Sequence, residues 1–84
     1  MTISNILRLL RQPSVSDRTG LKRASVFAHA ASGLLTKPVK IGPRASGWPS
    51  HEIDAILGAR IAGKSEPEIK ALVIQLMAQR QSAA

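Results

Sequence analysis

Apolar positions along the chain recur in short blocks, each closed by a glycine or a proline. NILRLLRQ (5–12) alternates weakly and predicts a short strand or extended arm ahead of Pro13. PSVSDRTG (13–20) predicts a short helix, with Ser14 as its expected N-cap, Asp17 three residues later and Gly20 where a helix stops. Leu21, just past that glycine, is placed for the hydrophobic contact that closes such a stop. A second helix is expected over KRASVFAHAASG (22–33), ended by Gly33. Helical spacing around Val26 puts Lys22, His29, Ala30 and Gly33 near the buried side and Ala24, Ala28 and Ala31 opposite. Two short helices joined through Thr19, Gly20, Leu21 and Lys22 make a helix-turn-helix pattern.

The period then switches from helical to alternating. PVKI (38–41) predicts a strand with Val39 and Ile41 on its anchored side and Lys40 facing out. Gly42, Pro43, Arg44 and Ala45 form a turn, and Ala45 to Trp48 return as the partner strand. Ser50 is the expected cap of a third helix, SHEIDAILGARIAG, with Ile53, Ile56, Leu57 and Ile61 as one apolar stripe and Gly63 as its stop. Ser65 and Glu68 form a capping box for a fourth helix that carries Ile69, Leu72, Val73 and Leu76 at i, i+3, i+4 and i+7, before a frayed QSAA end. That stripe wants a partner, either the third helix or a second copy of the chain. The expected fold class is mainly α with a small β-hairpin.

Composition narrows the picture. Eighty-four residues support one small core, and a chain of that size buries only about 60% of its unfolded surface. Cysteine is absent, which rules out a disulfide framework and a thiolate zinc site. MTISNILRLLRQ lacks a secretion-signal pattern and ASVFAHAASGLLT (24–36) is too short to span a bilayer, so a cytoplasmic protein is expected. The net charge of +7 is one-sided: residues 1–48 hold eight lysines and arginines against one acid, and residues 49–84 hold four against four. A basic part beside a neutral part suits a protein that faces a polyanion, of which nucleic acid is the commonest.

Other chemistries lack their residues. His29 and His51 stand 22 residues apart without partners at ligand spacing, and HEIDA is not HExxH, so no metal site is expected. Four of the five carboxylates read as first-turn helix residues, giving no catalytic constellation, no cofactor site and no small-molecule substrate site. With Phe27 the only other aromatic, Trp48 reads as a core plug under the hairpin rather than a platform for single strands. The basic residues lie on too many separate elements for an anionic membrane surface.

Helix, turn, helix, basic hairpin and helix is the order of a winged helix-turn-helix. RTGL (18–21), then KPVKIGPRASGW (37–48), then a helix with EID (52–54), resembles the AlpA-type regulators and excisionase-like proteins of prophages and integrative elements, over residues 8–63. The resemblance implies a small, MerR-like winged helix-turn-helix DNA binder that regulates transcription or directs an integrase. On that reading the expected division is a DNA-binding domain over residues 1–63 and an additional amphipathic helix over 64–84, folded back or dimerising. The second helix would enter a major groove with Lys22, Arg23, Ser25 and Phe27, and the hairpin would bring Lys37, Lys40 and Arg44 to phosphates.

Lys22 stands where the family commonly has a capping serine, and Ala28 where it commonly has an arginine. Alanine touches a thymine methyl but forms no hydrogen bond to a base. Specificity is therefore expected from Arg23, Ser25, the hairpin and DNA shape. Double-stranded DNA is the expected partner, with an integrase or a second copy beside it. The alternatives are a low-specificity architectural DNA binder and a protein-interaction module acting through the fourth helix.

Overall fold

The computed structural model describes residues 8–82. Residues 5–7 of the expected arm and the last two of the QSAA end lie outside them. The elements are β1 (Leu9–Leu10), α1 (Gln12–Thr19), α2 (Arg23–Ser32), β2 (Val39–Gly42), β3 (Ala45–Pro49), α3 (Ser50–Ile61) and α4 (Glu66–Ser82). This is a mainly helical winged helix-turn-helix with an additional C-terminal helix.

The helix-turn-helix is built by its glycines. Gly20 and Gly33 end α1 and α2 at φ 75° and 86°, in the left-handed region that only glycine enters at no steric cost. Between the helices, the Thr19 hydroxyl donates to the Val15 carbonyl at 2.7 Å and accepts from the Leu21 N–H at 3.2 Å. That fixes the turn, and Leu21 packs half-buried against the core. α1 is capped three residues earlier than expected: Arg11 is its N-cap, without a side-chain capping bond, and Pro13 sits in the first turn where its fixed φ suits a helix start. Ser14 is thus the third helical residue and caps nothing.

Three strands form an antiparallel sheet in the order β1-β3-β2, with Leu10 opposite Trp48 and Val39 opposite Gly47. An irregularity between Lys40 and Gly42 breaks the β2 register. A bulge of this kind upsets the inward and outward alternation, so Ile41, expected on the anchored side, is 49% exposed. Trp48 does anchor the wing: it is 1% exposed and its indole N–H donates to the Thr36 carbonyl at 2.7 Å.

Ser50, expected to cap α3, is instead its first residue after Pro49, and its N–H extends the sheet ladder to the Arg8 carbonyl at 2.8 Å. Ile53 and Ile56 of the predicted stripe are buried and Leu57 is half-buried, but Ile61 is 85% exposed because α3 ends there.

One apolar core joins Leu10, Val15, Val26, Trp48, Ile53 and Ile56 with Ile69, Val73 and Leu76 of α4, which lies against α3. Burying each of the three α4 side chains stabilises by about 1.5–3 kcal/mol before entropic costs. The capping box at its start is formed as expected, with the Ser65 N–H bonded to Glu68 Oε1 at 2.9 Å and the Glu68 N–H to Ser65 Oγ at 3.4 Å. The Ser65 backbone N–H, and then its hydroxyl, hold the exposed Glu68 carboxyl below the usual carboxylate range.

Glu52 lies in the first turn of α3 as expected, but it is no ordinary helix-end charge. It is fully buried, and Arg80 grips it through Nε to Oε2 at 2.8 Å and Nη2 to Oε1 at 2.7 Å. The same Nη2 donates to the Lys37 carbonyl at 2.7 Å. One guanidinium therefore ties the far part of α4 to the start of α3 and to the base of the wing.

Candidate nucleic-acid interface

α1 and α2 begin with a basic N-cap and no acid in the first turn: Arg11 for α1 and Lys22 for α2, neither helix having a side-chain cap. A cation there opposes the helix dipole by about 0.3–1 kcal/mol, and the missing cap costs about 1 kcal/mol. α4 is the contrast, with Glu66 and Glu68 in the first turn and a complete capping box.

The start of α2 and the wing face each other across a cleft of about 240 Å³ that is lined by Arg11, Arg23, Phe27, Arg44, Ser46 and Trp48. Its floor is a stack. Trp48 is locked by the Thr36 carbonyl, the Phe27 ring lies 5.8 Å from it at 56°, and the Arg23 guanidinium sits 5.6 Å above Phe27. A cation over an aromatic face is attracted to the ring quadrupole, by about 0.5–1 kcal/mol at an exposed site, which favours this position of Arg23. Phe27 is 41% exposed, an aromatic surface with a guanidinium on one side and the core on the other.

The ion pairs among the described residues are Arg18 with Asp54 and Arg80 with Glu52. No carboxylate among those residues pairs with Arg11, Arg23 or Arg44. Three guanidiniums sharing one cleft without a counter-charge repel one another, and an anion relieves that repulsion.

The structure gathers three of the seven expected contact residues, Arg23, Phe27 and Arg44, into this cleft. Lys22 is exposed at the start of α2 and Ser25 is half-buried one turn on. Lys37 and Lys40 are exposed along the wing but do not line the cleft. Sequence reasoning missed Arg11 and Ser46. For Arg11 part of the signal was present, since Pro13 marks a helix start close by.

Among the described residues, no group of three or more histidines, cysteines or carboxylates is placed to hold a metal ion, and no helix is long and apolar enough to cross a membrane.

Residues 8–69 match the family described as prophage CP4-57 regulatory protein (AlpA). No curated protein and no solved structure gives a significant match. The family match starts at Arg8, spans the helix-turn-helix, the wing and α3, and runs on into α4. With most of its length matched in this way, the chain belongs to the AlpA family of prophage regulatory proteins.

Proposed function

We propose that this chain binds duplex DNA in a sequence-dependent way, as a small cytoplasmic regulator of transcription or an excisionase-like directionality factor of a mobile element. The observation that carries the reading is that Arg23, at the start of α2, and Arg44, at the wing tip, line one cleft with no carboxylate partner among the described residues. In a MerR-like winged helix-turn-helix, the start of the second helix enters a major groove and the wing follows the backbone beside it. Lys22 and Arg23 then reach base edges and phosphates, and Lys37, Lys40 and Arg44 reach phosphates. On this reading residues 1–63 are the DNA-binding unit, and α4, within the stretch 64–84, braces it.

Two substitutions separate base readout from backbone grip. Arg44→Ala should weaken binding to all duplexes alike, whereas Arg23→Ala should cost about 1–3 kcal/mol on the preferred duplex and flatten the preference for it. Fluorescence anisotropy with a preferred and a scrambled duplex measures both. Uniform losses in both variants favour the architectural binder, a reading supported by the exposed alanines Ala24, Ala28 and Ala31 on α2. A protein-interaction module acting through α4 has less support, because Ile69, Val73 and Leu76 are spent on the chain's own core and Ile74 is the large apolar residue that α4 leaves exposed.

A further inference from the structure

Resting on the DNA-binding reading, we infer that the cleft between α1, α2 and the wing is a seat for a single DNA backbone phosphate, with Arg11 as its third arm. Two of its arginines belong to elements expected on DNA, but Arg11 belongs to neither the second helix nor the wing. It precedes α1, and its side chain has no hydrogen bond and no ion-pair partner among the described residues. The backbone around it is already engaged, since the Arg11 carbonyl accepts from Ser14 and Val15 at 3.0 and 3.1 Å. The helix end itself offers little to an anion: Pro13 has no N–H and the Ser14 N–H is taken. The attraction is therefore that of the guanidiniums, which match a phosphate with paired donors in a way lysine does not.

The position also selects the ligand. A strand that passes from the groove entered by α2 to the groove reached by the wing must cross the cleft between them, and its charged groups there are phosphodiesters. Arg23 lies over the Phe27 ring, and Arg44 is carried on a turn stiffened by Pro43. Arg23 and Arg44 flank the cleft on two sides, and Arg11 closes the third.

The test compares wild type with Arg11→Ala and Arg11→Lys in duplex binding over a range of salt concentrations, on both a preferred and a scrambled duplex. Arg11→Ala should lose about tenfold in affinity on both duplexes, and the slope of log K against log salt should become shallower by about one. Arg11→Lys should keep the slope and lose part of the affinity, because the charge remains and the fork does not. Thermal unfolding should be unchanged in Arg11→Lys and unchanged or slightly raised in Arg11→Ala, since the side chain bonds to nothing among the described residues and its charge opposes the α1 dipole. Wild-type binding that Arg11→Ala reproduces in affinity and slope would overturn the phosphate seat and leave the DNA reading standing. No duplex binding by wild type would overturn both. Stabilisation of wild type by inorganic phosphate, lost in Arg11→Ala while duplex binding is untouched, would assign the cleft to a free anion and also overturn the proposal.

Discussion

Trp48→Ala will lose about 3–5 kcal/mol of folding stability, the usual consequence of emptying a large buried aromatic site. A domain of this length has of order 5–10 kcal/mol in all, so the variant will be largely unfolded at modest urea. Three losses coincide at one position. The indole is 1% exposed and belongs to the single core. Its N–H is the buried partner of the Thr36 carbonyl, which would be left unsatisfied at about 1–3 kcal/mol. Its ring also supports Phe27 and, through Phe27, Arg23. Trp48→Phe separates these effects: it keeps most of the apolar volume, loses the hydrogen bond and should fall midway between wild type and alanine in urea midpoint. A folded Trp48→Ala with wild-type stability would show that the wing is not held by this residue.

Arg80→Ala will be nearly as damaging, although Arg80 lies far along α4 and away from the cleft. Removing one member of a buried ion pair strands the other, and a fully buried carboxylate without its partner costs about 3–5 kcal/mol. Here the guanidinium satisfies both oxygens of Glu52 and the Lys37 carbonyl, so α3, α4 and the base of the wing loosen together. The double variant Glu52→Met/Arg80→Leu removes both charges and fills the space. It should recover most of the loss, because apolar replacement of a buried pair is often neutral or stabilising. Urea denaturation of the two variants measures the contrast. Arg80→Ala at wild-type stability, or a double variant no better than the single, would contradict it. By comparison the Arg18–Asp54 pair at 2.8 Å is exposed on both sides and contributes at most about 1 kcal/mol.

The parts of the fold legible in the sequence were those with short-range causes. Gly20 and Gly33 end their helices because only glycine takes the required φ freely, and Ser65 with Glu68 form their box because the two partners are three residues apart. The buried Trp48 followed from the alternation of the hairpin and the scarcity of other aromatics. What escaped had long-range causes. Glu52 and Arg80 are 28 residues apart, and each alone looks like an ordinary surface charge. A signal existed: Arg80 continues the α4 stripe four residues past Leu76, and Glu52 lies four residues before the buried Ile56. Two opposite charges on two apolar faces that must meet predict a pair.

The wing register was misjudged for a related reason. Strict alternation placed Ile41 beside Val39, and Gly42 next to it was the mark of a bulge that alternation alone ignores. For the cleft, the one-sided charge and the family motifs singled out Arg23 and Arg44, whereas Arg11 joined them only when α1 was seen to start at Gln12. Charge counts reveal that a basic face exists. Which cations converge is decided by packing, here by Trp48 and Phe27.

The most direct test of the central claim is the affinity of wild type for duplex DNA measured across salt concentrations. If about five phosphates are neutralised, log K should fall linearly with log salt at a slope of about −4 to −5. Absence of duplex binding at about 50 mM salt, or an affinity indifferent to salt, would contradict the claim that this basic face is a DNA-binding surface.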